Sequence, residues 1–261
     1  MILLDQAGAG AGAARFFPPS RAQASFIEHF WIQQTGPTPA GRSWRIIPEA
    51  NPYLIFVVSR EDSRVRARCF LTGPRSRFAD VTMGNRILTC GARLHPGALP
   101  LLTHLPASDF TDRSVLVEDV FGAHGTRLMD QLDELRSPIP ALRVMSDFLS
   151  HKWAGQNHLT PLPLGRYTRV EDMAAQSSLP VRTLRSRLMQ SVGLSPKRVL
   201  RIERLQRALV SSRAPSIAWA EVAASSGFAD QAHMTREFRD LLGESPTTWS
   251  RRSRLPICSR Q

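Results

Sequence analysis

Apolar positions change their period along this chain. Up to about residue 105 they come in short runs broken by Gly and Pro. Runs at 26–32, 52–58, 65–72 and 86–90 read as strands, because β-branched and aromatic residues cluster there between turn residues. The segment 36–41, Gly73-Pro74 and Pro96-Gly97 read as turns. Residues 126–135 and 140–153 then take the helical period. In the second, Leu142, Met145, Leu149 and Trp153 form one apolar stripe, expected to pack on its own domain, with a dimer contact as the alternative. Residues 154–165 (AGQNHLTPLPLG) read as a linker, and beyond them the period is helical almost to the end.

The helical part repeats itself. Gly-Leu-Ser-Pro at 193–196 returns as Gly-Glu-Ser-Pro at 243–246. Ahead of each, Leu184 and Leu188 align with Met234 and Phe238 at an offset of fifty, and each i, i+4 pair marks the buried side of a helix. The opposite faces carry Arg182, Arg185, Ser186 and Met189 in one copy and Ala232, Thr235, Arg236 and Arg239 in the other. Upstream, 170–176 and 219–225 read as shorter helices, with Ala174 and Ala223 where crossing helices need a small side chain. Gly227 suits the left-handed turn that ends a helix, and Asp230 can cap the next one. Helix, tight turn, helix with a polar outer stripe is the helix-turn-helix pattern. In Gly-x-Ser-Pro the Gly closes that helix, Ser caps a further one and Pro opens it. The helix 196–211, about 24 Å long at 1.5 Å per residue, would then join the two units. Val199, Ile202, Leu205 and Leu209 form its apolar side, while Lys197, Arg198, Arg201, Arg204 and Arg207 crowd elsewhere.

Charge strengthens this picture. The 261 residues carry a net charge of +12. Residues 160–261 hold 17 Lys/Arg against 8 Asp/Glu, and residues 1–159 hold 17 against 14, so most of the excess sits with the repeat. That asymmetry points to a polyanion partner. No apolar run reaches the ~18 residues of a membrane helix, and the three cysteines match no zinc or redox spacing. A cytoplasmic protein with reduced thiols, and no membrane partner, is expected.

The stretch SIAWAEVAASSGFADQAHMTREFRDLLGESPTTW, 216–249, resembles the AraC/XylS family of transcriptional regulators, and RTLRSRLMQSVGLSPKRVLRIERLQRAL, 182–209, resembles its first half. The resemblance covers about ninety residues and implies two helix-turn-helix units on double-stranded DNA. It assigns base contacts to Gln231, Thr235 and Arg236 in the second unit and to Arg182, Arg185 and Ser186 in the first; Ala232 and Arg239 share the second stripe. The first unit departs from the family: Ser178 replaces the turn Gly, Pro180 the capping Ser, and Ser186 an Arg. FIEHFW (26–31), RIIPEANPYLIF (45–56), LTGPRS (71–76) and GARLHPGAL (91–99) resemble the region that often precedes this domain. The implied architecture is an α+β multidomain chain: a flexible tail 1–14, a cupin-like β domain with C-terminal helices over 15–153 for an effector or dimerisation, the linker 154–165, and a DNA-binding domain over 166–254. RNA polymerase, a homodimer partner and a small-molecule effector of unknown identity are the other partners this admits.

Enzymatic chemistry finds no foothold in the pattern. The seven histidines form no His-x-His pair, and Glu28 and His29, as strand neighbours, are expected to face opposite ways. No nucleophile elbow or phosphate loop is present, so no catalytic residue, metal or cofactor is assigned. His95 in its Pro-Gly turn, Thr183 and His233 read as structural. An effector pocket would draw on Trp31, Trp44, Arg45, Tyr53, Phe56 and Arg93, for which core packing is the alternative. An architectural DNA binder with little sequence preference and a repair alkyltransferase fusion are the competing function classes.

Overall fold

A computed structural model describes residues 3–5, 14–34, 43–61, 64–82, 85–135, 137–155, 164, 167–212 and 218–253. The strands are β1 (Leu3–Asp5), β2 (Arg15–Phe17), β3 (Ile27–Gln34), β4 (Ser43–Ile46), β5 (Tyr53–Glu61), β6 (Arg64–Thr72), β7 (Ala79–Thr82), β8 (Asn85–Leu94) and β9 (Ser114–Leu116). They form an antiparallel six-stranded sheet, β2-β3-β8-β5-β6-β9, and a three-stranded sheet, β1-β4-β7.

The two-residue period decides what each face of the large sheet does. Phe30, Ile32, Leu54, Phe56, Cys69, Leu71, Cys90, Ala92 and Leu94 share one buried face. Four helices close over it: α1 (Ala98–Thr103), α2 (Val117–Phe121), α3 (Ala123–Asp133) and α4 (Pro138–Trp153). The expected stripe of α4 packs here, with Leu142, Met145 and Leu149 buried and Trp153 stacked on Phe26 at 4.1 Å between ring centres. Burial pushes the Cys90 thiol up to about 12, so it is a core side chain rather than a reactive one.

Several local expectations are revised. Leu3–Asp5, placed in a flexible tail, pair with β4, while the Ala/Gly run 7–13 lies outside the described residues, as do the turn 36–41 and most of the linker. The strands β1, β2, β4, β7 and β9 were not anticipated; at three or four residues each they are too short to show a period. Glu28 and His29 do not face apart: a register shift between Ile27 and His29 bulges β3 and brings His29 Nδ1 within 3.8 Å of Glu28 Oε1.

The C-terminal part is all helical: α5 (Val170–Gln176), α6 (Val181–Ser191), α7 (Pro196–Ser211), α8 (Trp219–Ser226), α9 (Gln231–Leu242) and α10 (Pro246–Ser253). Its apolar residues fall into two clusters, and α7 belongs to both. Val199, Leu200 and Ile202 join Met173, Ala174, Leu184 and Leu188; Leu205, Ala208 and Leu209 join Val222, Ala223, Met234, Phe238 and Trp249.

Between these halves of α7 stands Glu203. Burial raises its pKa above the ordinary 4.5, against the opposing pull of Arg207 and Arg93. A carboxyl with a raised folded pKa stabilises below its unfolded value and loses that contribution as pH rises through the folded one. Glu203→Gln should therefore raise the melting temperature at neutral pH, and the gain should vanish as pH falls into the ordinary carboxylate range; thermal unfolding of both proteins across pH checks this.

Candidate nucleic-acid interface

The two units are built on the same turn. In the second, Gly227 ends α8 at φ 86°, and the Phe228 N–H donates to the Ala223 carbonyl at 3.0 Å. In the first, Ser178 takes the same left-handed conformation at φ 52°, and the Leu179 N–H donates to the Ala174 carbonyl at 3.0 Å. Ala174 and Ala223 are both buried where the helices cross. The starts of the second helices differ. Asp230 accepts the His233 N–H at 2.5 Å as the cap of α9, whereas Pro180 at the same place makes no side-chain bond to α6.

Each second helix then buries one side and exposes the other. Leu184 and Leu188, and Met234 and Phe238, are fully buried. Arg182, Arg185, Ser186 and Met189 are exposed on α6. On α9, Gln231, Ala232, Arg236 and Arg239 are exposed and Thr235 is half-buried, its hydroxyl donating to the Gln231 carbonyl at 2.8 Å. Among the described residues, the side chains of Arg182, Arg185, Arg236 and Arg239 have no hydrogen-bond or ion-pair partner. Their guanidinium donors face solvent. Thr183, read as structural, is exposed; His233 is half-buried beside Phe228 and Glu237.

The arginines of α7 do something the sequence did not reveal. Arg201 holds Glu237 on α9 at 2.7 Å and also bonds Asp240, while Arg198 lies 3.8 Å from Asp240. Burial pulls the Arg201 pKa down, but the bonds to Glu237 and Asp240 outweigh it and the net direction is up. Arg207 donates through Nε and Nη2 to the Ser226 carbonyl, at the negative end of α8, and Arg204 lies over the Phe228 ring at 5.9 Å. These side chains, which the sequence left only as a basic side of the helix, orient the second unit. The i, i+3 acids Glu237 and Asp240 on α9 were the available signal.

The proposed effector-pocket residues are not one group. Tyr53 and Phe56 are three apart on β5 and so lie on opposite faces; Phe56 belongs to the main core. Trp31 and Tyr53 pack with Ile55 on the other face. There Arg93 bonds Glu28 at 3.2 Å and Asn51 at 2.8 Å, and Tyr53 donates to Glu49 at 2.5 Å. Arg45 points away, to Asp80 and the Leu242 carbonyl, and the Trp44 side chain lies outside the description. Among the described residues there is no group of three or more potential metal ligands, and no helix is long and apolar enough to cross a membrane.

Three outcomes follow. Asp230→Ala should destabilise the C-terminal domain by about 1 kcal/mol through the lost cap, while Ser178→Gly should stabilise it by relieving the left-handed strain. Arg201→Ala should cost about 1–3 kcal/mol, because it strands the largely buried Glu237. Denaturant unfolding measures all three.

Comparison with known proteins agrees with this construction. Residues 173–252 match a helix-turn-helix domain family, and residues 15–116 match a domain of unknown function (DUF6597). The HTH-type transcriptional activator RhaS of Klebsiella pneumoniae (strain 342) is 38% identical over 76 residues, which is 29% of this chain and 27% of RhaS. The chain thus spans about a quarter of that curated relative's length. Among solved structures, ToxT from Vibrio cholerae O395 aligns over 85% of this chain and 97% of its own, with 12% identity and a TM-score of 0.45. A DNA-binding transcriptional dual regulator from Escherichia coli K-12 aligns over 37% and 96%, with 21% identity and a TM-score of 0.31. The C-terminal part of this chain thus carries a helix-turn-helix domain similar to that of the transcriptional activator RhaS, behind a sheet-rich domain that matches a family of its own.

Proposed function

We propose that the protein is a sequence-specific regulator of transcription that inserts α6 and α9 into successive major grooves of one duplex. One observation carries this reading. The arginines of α7 are engaged inside the fold, yet those on the outer stripes of α6 and α9 are left with their donors free. A guanidinium in that state suits a guanine edge or a phosphate. Arg182, Arg185 and Ser186 would read one half of the site; Gln231, Ala232, Arg236 and Arg239 would read the other, with Thr235 in a lesser role because its hydroxyl hydrogen is engaged. A 16-residue α7 supports placement on grooves that lie roughly 34 Å apart. Control by a small molecule or partner at the N-terminal domain belongs to the same proposal, supported by that domain's direct contact with both units.

Selection from a random-sequence DNA library followed by footprinting tests the reading. A bipartite site with two protected grooves on one face is expected. Arg236→Ala or Arg185→Ala should relax preference in its own half only, by about 1–3 kcal/mol. Arg187→Ala, exposed on α6 but off the stripe, should lower affinity evenly and reduce the salt slope by about one. A flat profile would instead identify an architectural binder.

A further inference from the structure

Both glycines of the repeated Gly-x-Ser-Pro signal are covered by the N-terminal domain. Gly193 sits at φ 80°, and a Cβ there would lie 2.6 Å from the Ala107 carbonyl oxygen and 2.6 Å from Thr111 Oγ1. The Thr111 hydroxyl donates to the Gly193 carbonyl at 2.7 Å. Gly243 sits at φ 73°, and a Cβ there would lie 2.6 Å from the Phe78 ring. Beside it the Phe78 N–H donates to the Leu241 carbonyl at 2.9 Å, and Arg45 Nη1 donates to the Leu242 carbonyl at 2.9 Å. Arg45 is itself fixed: Asp80 takes Nε and Nη2 at 2.8 Å each, and the Phe78 ring lies 4.4 Å below the guanidinium.

These contacts fall on equivalent places, the C-terminal ends of α6 and α9, where unpaired carbonyls collect and donors are favoured. Between them the N-terminal domain also touches α7. Gln206 donates to the Pro48 carbonyl at 2.6 Å, Ala50 is buried in the first unit's cluster and Ile47 in the second's. The units themselves meet mainly through α7. α5 and α6 pack on it and on each other, as do α8 and α9. A single helix leaves the angle between two bodies soft to bending and twist, whereas a second body gripping both removes that freedom.

We infer that the N-terminal domain is a bracket that sets the angle between the two units, and hence the spacing between half-sites that the protein accepts. Arg45, Phe78 and Thr111 are its positioning residues. The exposed stripes of α6 and α9 stay uncovered with the bracket in place, so it aligns the units rather than masking them. The consequence for spacing rests on the proposal that both units read one duplex; the bracket itself does not.

Two readouts separate these. In the first, spin labels on Gln190→Cys and Ala224→Cys, exposed on α6 and α8 and outside the proposed DNA contacts, report the distance between units in the free full chain; Cys258→Ser removes one thiol, and Cys69 and Cys90 are buried. The unaltered bracket should give one narrow distribution. Arg45→Gln with Thr111→Val should broaden it while leaving far-UV circular dichroism and cooperative melting intact, and Thr111→Ser should restore the first contact. An equally narrow distribution in a folded double variant overturns the bracket. In the second, the native protein should lose about tenfold or more in affinity when one base pair is added between the halves of its selected site. The double variant should lose less and keep the same preference within each half. A variant that broadens yet keeps the native spacing penalty overturns the link to spacing. A native chain that selects only one half-site overturns the two-groove reading and leaves the distance result to decide the bracket.

Discussion

Helix α7 shares its buried face between two separate cores, and the C-terminal domain depends on that division. Val199, Leu200 and Ile202 close the first core; Leu205, Ala208 and Leu209 close the second. Neither three-helix unit has a complete apolar interior without its stretch of α7. The helix is therefore a shared wall, and a cavity cut into one half is felt first by the unit on that side. The polar side of α7 is equally committed, because Arg201 and Arg207 fasten α9 and α8 by their charge and donors.

The N-terminal domain adds a second set of constraints. Its sheet stacks one face against α1 to α4 and leaves the opposite face with a dense polar group around Arg93, Glu28, Glu49 and Tyr53. Burial pulls the Arg93 pKa down, but Tyr53, Glu49, Glu28 and Glu203 more than offset it, so the guanidinium stays charged. Glu203 belongs to α7. Arg93 and Glu203 thus bring opposite charges of the two domains near each other across their boundary.

What the sequence disclosed follows from where periodicity is strong. Helices α5 and α7 appear with the bounds expected of them, because amphipathic spacing marks both and a Ser-Pro start marks α7. The Gly227 turn and the Asp230 cap were equally legible, since one residue type carries each. The short strands and the β3 bulge were not, because pairing partners far along the chain define them. Pocket residues failed for a related reason. Tyr53 and Phe56 are close in sequence, yet the pleat sends them to opposite faces. The employment of Arg198, Arg201 and Arg207 was hidden because a basic residue looks the same whether its partner is Glu237 or a phosphate.

The two turns are alike in hydrogen bonding but not in chemistry. A left-handed serine and an uncapped proline stand in one, a glycine and a capping aspartate in the other, with one more residue between them. The two units are therefore not interchangeable. If both units read one duplex, as proposed, a single chain with unlike ends would have a front and a back and would sit on a given site only one way round. Which of its surfaces is turned upstream would be dictated by the base sequence, without any second copy to restore symmetry.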